Sequence, residues 1–213
     1  MAIDVVANMK GRVGKQNRGL GDDVQPWSGR QGDLVTLPFG KYYQAVMDGM
    51  VYWATTPDGG VAPGTDSAST TQAVSLYNAN GTGVNLVVIR TSIAYVSGTL
   101  GAGELMYTVN TNPAAAAVTG TAMTRTNAKL GVGAGAATPL YSATVPAAPT
   151  LLGPAYTLDA SLASTVSFLG VYKDDIDGQI IVQPGTSFNM AADAAAGSTP
   201  LIMIGIVWIE VPV

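Results

Sequence analysis

The densest cluster of chemically capable side chains is Asp174-Asp175-Ile176-Asp177-Gly178. Hard cations such as Ca²⁺ take several oxygens from one tight loop, and three carboxylates within four residues would supply part of such a shell. The full calcium-loop spacing is missing, and no Glu closes it downstream. The simpler expectation is a solvated hairpin between strands at 164–172 and 179–183, with Asp177-Gly178 at its turn. Gly11-Arg12-Val13-Gly14-Lys15 resembles a phosphate loop only in passing. Met9 and Gln16 stand where that motif needs Gly and Ser or Thr. Gly131-Val132-Gly133-Ala134-Gly135 lacks the last Gly of a dinucleotide fingerprint and reads as a flexible loop.

The chain has no Cys and no His. Zinc sites of the Cys/His kind, Ser–His–Asp triads and Cys–His dyads are therefore excluded. What remains for chemistry is carboxylate, Lys, Tyr, Ser and Thr. A pair of carboxylates placed for glycoside hydrolysis is compatible with that set. Most acids, however, sit singly in turn-like contexts, as Asp58, Asp66 and Asp193 do, and Glu104 falls on the exposed side of its strand. No catalytic, cofactor-binding or metal-ligating residue is assigned, and an enzyme ranks last among the readings. Asn80-Gly81-Thr82 matches a glycosylation acceptor, yet Asn-Gly is first of all a turn.

The elements that carry these residues are strands. Of 213 residues, 47% are hydrophobic and only 11% are charged, about half the usual charged share. With 26 Gly and 12 Pro among Val, Ile and Ala, the composition predicts short strands joined by tight turns. Candidate strands are 44–54, 73–78, 84–96, 104–109, 139–145, 164–172, 179–183, 186–190 and 201–211. Turn signals stand at Pro57-Asp58-Gly59-Gly60, Asn80-Gly81, Gly101-Ala102-Gly103, Asp177-Gly178 and Pro184-Gly185. Asn112-Pro113 ahead of four alanines is the best start for a short helix. The expected fold is all-β: a jelly-roll-like antiparallel sandwich over residues 35–213, preceded by an extended arm over residues 1–34.

The longest apolar stretch, Leu201 to Ile209, has nine residues where a membrane helix needs about 20, so no membrane partner is expected. Neither a secretory leader nor a disulfide framework is read from the sequence.

The arm differs in charge from the body. Six of the ten basic residues lie in the first 41, where the balance is +2, while the remainder carries −6. Lys10, Arg12, Lys15, Arg18, Trp27 and Arg30 are its candidate contact residues, either as an ordered arm or on a disordered tail. Extended, 34 residues reach about 110 Å, enough to cross a neighbouring subunit. Trp27 alone makes no stacking platform, and a net charge of −4 disfavours nucleic acid as the main partner.

Strands 84–96 and 201–211 are apolar on both faces. Val87, Ile89, Ile93 and Tyr95 share one side of the first, with Leu86 and Val88 opposite. In the second, Leu201, Met203, Val207 and Ile209 oppose Ile202, Ile204, Ile206 and Trp208. A sandwich usually keeps one face wet. The second apolar face therefore meets another subunit or a covering loop. Leu86, Val88, Ile202, Ile204, Ile206 and Trp208 are the candidate subunit-interface residues. Tyr52, Trp53, Tyr107, Phe168 and Trp208 are spread over separate strands as core or interface anchors, with a sugar platform as the lesser option.

The runs Ser75-Leu76-Tyr77-Asn78-Ala79-Asn80-Gly81-Thr82-Gly83, Asn85-Leu86-Val87-Val88-Ile89-Arg90 and Ala94-Tyr95-Val96-Ser97-Gly98-Thr99-Leu100-Gly101-Ala102-Gly103 resemble virion structural proteins of tailed bacteriophages. So do Lys173-Asp174-Asp175-Ile176-Asp177-Gly178, Val182-Gln183-Pro184-Gly185-Thr186 and Trp208-Ile209-Glu210-Val211-Pro212. The resemblance covers residues 70–213, with the arm matching less clearly. It implies a jelly-roll head decoration (cement) protein, a homotrimer on the outer capsid that binds the major capsid protein, without cofactor or catalytic residues. The alternatives are a trimeric receptor-binding or tail-fibre module holding host glycan, and a shell-forming jelly roll.

Overall fold

In β11 (Leu201–Pro212), alternation sends Ile202, Ile204, Ile206 and Trp208 to one face, where all four are buried. That face is the centre of a two-sheet core. The computed structural model describes residues 40–111, 117–158, 171–193 and 197–213. The chain divides into two units, Met1–Tyr43 and Gln44–Val213. The expected arm over 1–34, its boundary with the body and the helix start at Asn112-Pro113 lie outside the described residues.

The other elements are α1 (Tyr43–Met47), β1 (Val51–Thr55), β2 (Thr71–Tyr77), β3 (Val84–Ser97), β4 (Gly103–Asn110) and β5 (Thr119–Ala122). After these come β6 (Arg125–Asn127), β7 (Thr138–Thr144), β8 (Thr150–Leu158), β9 (Tyr172–Val182) and β10 (Ser187–Asp193). One sheet runs β6-β1-β11-β3-β9 and the other β5-β7-β2-β10-β4-β8. Every strand pair is antiparallel. The fold is thus an all-β sandwich, as the composition predicted.

Between the sheets, Leu86, Val88 and Ile93 meet Val74, Leu76, Leu105, Phe188 and Met190. Trp208 stacks on Tyr52 with ring centroids 5.9 Å apart, and Tyr107 leans on Phe188 at 5.2 Å. The second sheet is buried on its outer side as well, where a polar row replaces the apolar one. Ser75 donates to Asn189 (2.7 Å) and Thr108 donates to Gln72 (3.0 Å), and all four residues are buried. Such groups tolerate burial only when paired, and these are.

Several expectations are corrected. Residues 44–54 are not one strand. Residues 43–47 are helical, and Gly49 at φ 73° closes the turn. Met50 N donates to Ala45 O and Gly49 N to Val46 O, the bond pair of a glycine-terminated helix end. Asp177-Gly178 is not a hairpin turn. Both residues have positive φ inside β9, where the register jumps from Val88↔Ile180 to Arg90↔Asp175, so the pair forms a bulge. Nor does Asn80-Gly81 make a hairpin, because β2 and β3 belong to different sheets. The Gly101–Gly103 and Pro184-Gly185 turns also cross from one sheet to the other. Strands β5, β6 and β8 were not anticipated. Gly153-Pro154 hides β8 from sequence patterning, and Pro is tolerated there because β8 is an edge. No helix among the described residues is long and apolar enough to cross a membrane.

Candidate functional site

Four side chains meet across the two sheets near the β8 and β9 edges. Tyr107 (β4) donates its phenolic proton to Asp174 Oδ2 (β9) at 2.9 Å. Thr91 Oγ1 (β3) lies 2.5 Å from the Tyr107 hydroxyl and 3.2 Å from that of Tyr156 (β8). Alternation along β9 turns Asp174 inward, and Thr91 faces it from the paired strand. Burial pushes the Tyr107 phenol well above its ordinary range and raises that of Tyr156, and the charge of the Asp174 carboxylate adds to both. The phenols therefore stay protonated near neutral pH. The cluster acts as a hydrogen-bonded tie between sheets, and beside it the ring of Tyr172 meets Tyr156 edge-on at 6.2 Å.

The neighbouring carboxylates point elsewhere. Asp175 faces out and pairs with Arg90 across the ladder at 2.5 Å. Asp177 sits in the bulge at φ 53°. The three acids that adjoin in sequence thus diverge in space. Among the described residues, no group of three His, Cys, Asp or Glu side chains is placed to hold a metal ion.

A second polar centre secures the loop before β7. Glu210 is buried near the end of β11, and its carboxylate accepts the amides of Ala136 (2.7 Å) and Ala137 (3.0 Å) and the indole N–H of Trp208 (3.2 Å). From the other side, Arg125 Nη1 donates to Gly135 O at 2.8 Å and to Ala137 O. The glycine-rich segment read as flexible is therefore gripped at its C-terminal end, while Leu130 and Val132 at its start stay exposed. Sequence reasoning missed Glu210, whose amide partners lie 73 and 74 residues away, and Arg125, which binds backbone carbonyls that no residue type announces.

A third centre is Asn78, which is fully buried. Its Nδ2 donates to Val84 O (2.8 Å) and Val182 O (2.9 Å), and its Oδ1 accepts from Thr82 (2.6 Å). It holds the β2–β3 crossing against the end of β9.

The six residues expected at a subunit interface lie elsewhere. Leu86, Val88, Ile202, Ile204, Ile206 and Trp208 are all buried between the two sheets of one chain, in its core. On β11 the core takes the face opposite to Val207 and Ile209, and on β3 a bulge at Ile89 decides the side. The pairing of β3 with β11 skips from Val88↔Trp208 to Arg90↔Val207, so the side-chain alternation of β3 reverses there. Leu86 and Val88 before the bulge, and Ile93 and Tyr95 after it, therefore all turn inward.

The outer face of this sheet carries part of the other set, Val87, Val207 and Ile209, and not Ile93 or Tyr95. The row Val51↔Ile209↔Val87↔Ile181 crosses four strands, and Trp53↔Val207↔Arg90↔Asp175 runs beside it. Val51 and Val207 in these rows are buried, Ile209 and Val87 are half-buried, and only Trp53 (45% exposed) and Ile181 (55% exposed) are apolar and open to solvent. Of the aromatic anchors, Tyr52, Tyr107 and Trp208 are in the core, Trp53 is on this outer face, and Phe168 lies outside the described residues. Lys10, Arg12, Lys15, Arg18, Trp27 and Arg30 also lie outside the described residues. Comparison with protein-family models, curated proteins and solved structures returns no match.

Proposed function

We propose that this chain is a phage capsid decoration protein that binds the outer head surface and stabilises the lattice by bridging its subunits. The observation that carries this reading is the outer face of the first sheet, where Trp53 and Ile181 are exposed beside half-buried Val87 and Ile209, in a chain of which only 11% of residues are charged. Such a surface favours burial against another protein.

The strand order supports the same reading. Set β5 to β7 aside, and the remaining strands form β1-β11-β3-β9 and β2-β10-β4-β8, with most connections passing between sheets. We read this as two interleaved Greek keys, the connectivity of a jelly roll. The polar ties at Glu210, Asn78 and Tyr107–Asp174 make the body rigid, as a cross-brace between capsomers requires. Stabilisation then follows from mass action, since a protein that binds only the assembled shell shifts the equilibrium towards it. Many copies on one lattice gain further from effective concentration. In this reading the basic arm, through Lys10, Arg12, Lys15 and Arg18, lies on an acidic or polar surface of the shell or of a neighbour.

The test is co-sedimentation with undecorated heads. The full chain should pellet with heads and raise their disruption temperature, and a chain lacking residues 1–34 should lose most of that binding. Failure of the full chain to pellet sinks the proposal. The exposed Tyr172 beside Tyr156 and Asp174 favours a second reading, a receptor-binding module with an aromatic face for host glycan. Binding to host cells in place of heads would select it.

A further inference from the structure

Sheet edges expose unpaired backbone groups, and proteins blunt them with short strands, charges, prolines and bulges. Most edge segments among the described residues carry such a device. β5 has four residues and β6 three. β8 contains Gly153-Pro154, and its pairing with β4 slips twice. The first half of β9 bears Lys173 and Asp175 and ends in the Asp177-Gly178 bulge.

The exception is Gln179-Ile180-Ile181-Val182. This stretch is uncharged, and its β-branched residues Ile180, Ile181 and Val182 are in regular register with β3, through Val88↔Ile180, Val87↔Ile181 and Leu86↔Val182. Among the described residues β9 pairs with β3 alone, and no described strand pairs with its other side. Exposed apolar residues gather at the same end of the sandwich. β10 follows β9 through a tight turn, Phe188 pairs with Val109, and Val109 pairs with Thr150 at the start of β8. The next two residues, Leu151 and Leu152, are 46% and 50% exposed. A cleft of about 240 Å³ opens between Val109, Thr111, Ile180, Ile181 and Pro184, with room for an apolar side chain of an incoming strand.

We infer that residues 179–182 pair edge to edge, antiparallel across a two-fold axis, with the same residues of a second copy of this chain. A second copy meets this edge without opposing like charges, and its uncharged stretch matches this one. Centred on Ile181, the pairing sets Asp177 opposite Gly185, and centred on Ile180 it sets Asp177 opposite Gln183. In neither register does one acid face another, so the acidic half of each strand passes beyond the ladder of its mate. Like charges directly opposed would weaken such a pair. The two-fold also brings Leu151 and Leu152 of both copies to the flanks of the joined sheets, where each pair gains a cover that the described residues of one chain do not supply. The interface is self-complementary, as a two-fold demands.

The test is sedimentation velocity of the full chain. The wild type should run as a dimer. I181K and the gentler I181T, at an exposed position, should fold as the wild type does and weaken dimerisation at least tenfold. The chain has no Cys, so an I181C variant carries a single thiol. Hydrogen-bonded antiparallel partners stand about 5.5 Å apart at Cα, within disulfide reach. I181C, or a Q179C/I181C double variant for the neighbouring register, should form a covalent dimer on mild oxidation. A monomer, a trimer, or a dimer indifferent to I181K overturns the inference. Loss of head binding by I181K in a chain that is monomeric throughout would overturn it too, and would assign the edge to the shell protein.

Discussion

The carboxylate of Glu210 fills the space that a β-carbon on Gly135 would need, with both oxygens well inside contact distance of that position. The close approach lets Glu210 reach the amides of Ala136 and Ala137, so a buried charge is matched by three N–H donors. E210A leaves these donors unpaired in the interior, and each costs on the order of 1–3 kcal/mol. A loss of roughly 3–5 kcal/mol in urea unfolding is expected, with E210Q retaining part of the contact and losing less. G135A should cost about 1–3 kcal/mol, because the added methyl displaces the carboxylate. If the double variant E210A/G135A loses no less than the sum of the single losses, the steric link is wrong.

The Tyr107–Asp174 tie makes a prediction in alkaline solution. Both Tyr107 and Tyr156 hold their protons more tightly folded than unfolded. Above about pH 10 the unfolded chain releases phenolic protons that the folded chain keeps, so the unfolded state binds fewer protons. Stability is therefore fully present below that pH and falls as pH rises, by up to about 1.4 kcal/mol per pH unit for each tyrosine. Y107F should lose about 1–2 kcal/mol at pH 7 from the broken hydrogen bonds, and its slope above pH 10 should be shallower. Urea titrations at pH 8 and pH 11 measure both. An unchanged slope would mean that the phenols ionise as freely folded as unfolded.

Two tryptophans separate core from surface. Trp208 is fully buried, whereas Trp53, on the neighbouring strand, faces out. W208A should cost about 3–5 kcal/mol or prevent folding. W53A should stay within about 1 kcal/mol of the wild type in thermal melting, since exposed substitutions rarely do more. On the proposed function, W53A should instead weaken pelleting with undecorated heads. A W53A chain that unfolds readily would show that the outer face is part of the monomer's own packing.

What the sequence discloses depends on whether a feature is local. The alternation of β11 and the apolar run of β3 are visible because each strand carries its own period, and the all-β class follows from them. Which side of β3 faces the core is not visible. The bulge at Ile89 reverses alternation midway, and a bulge exists only in relation to the strands on either side. The same limit explains the turns. Asn80-Gly81 and Pro184-Gly185 announce that the chain reverses, but not that it reverses into the other sheet. Glu210, Arg125 and Asn78 act on segments distant in sequence or on backbone carbonyls, so their types alone give no sign of their partners. Helix α1 was hidden because Tyr43 to Met47 mix apolar and polar residues with no strand or helix period long enough to register.

Asn78 offers the most selective chemical test, because its amide uses both ends at once. Nδ2 donates to the carbonyls of Val84 and Val182, and Oδ1 accepts from Thr82. N78D has nearly the same shape but exchanges the donor for an oxygen that faces two carbonyls. Burying that acceptor against acceptors should cost more than removing the side chain. We expect about 3–5 kcal/mol for N78D against about 2–3 for N78A. Raising the proton concentration should partly rescue N78D, since a protonated carboxyl regains one donor. Melting temperatures of wild type, N78A and N78D at pH 7 and pH 4 measure the pattern. If N78D equals N78A at both, the two carbonyl contacts do not set the strength of the crossing, and the β2–β3 loop is held by its backbone bonds to Thr186 and Gly185 instead.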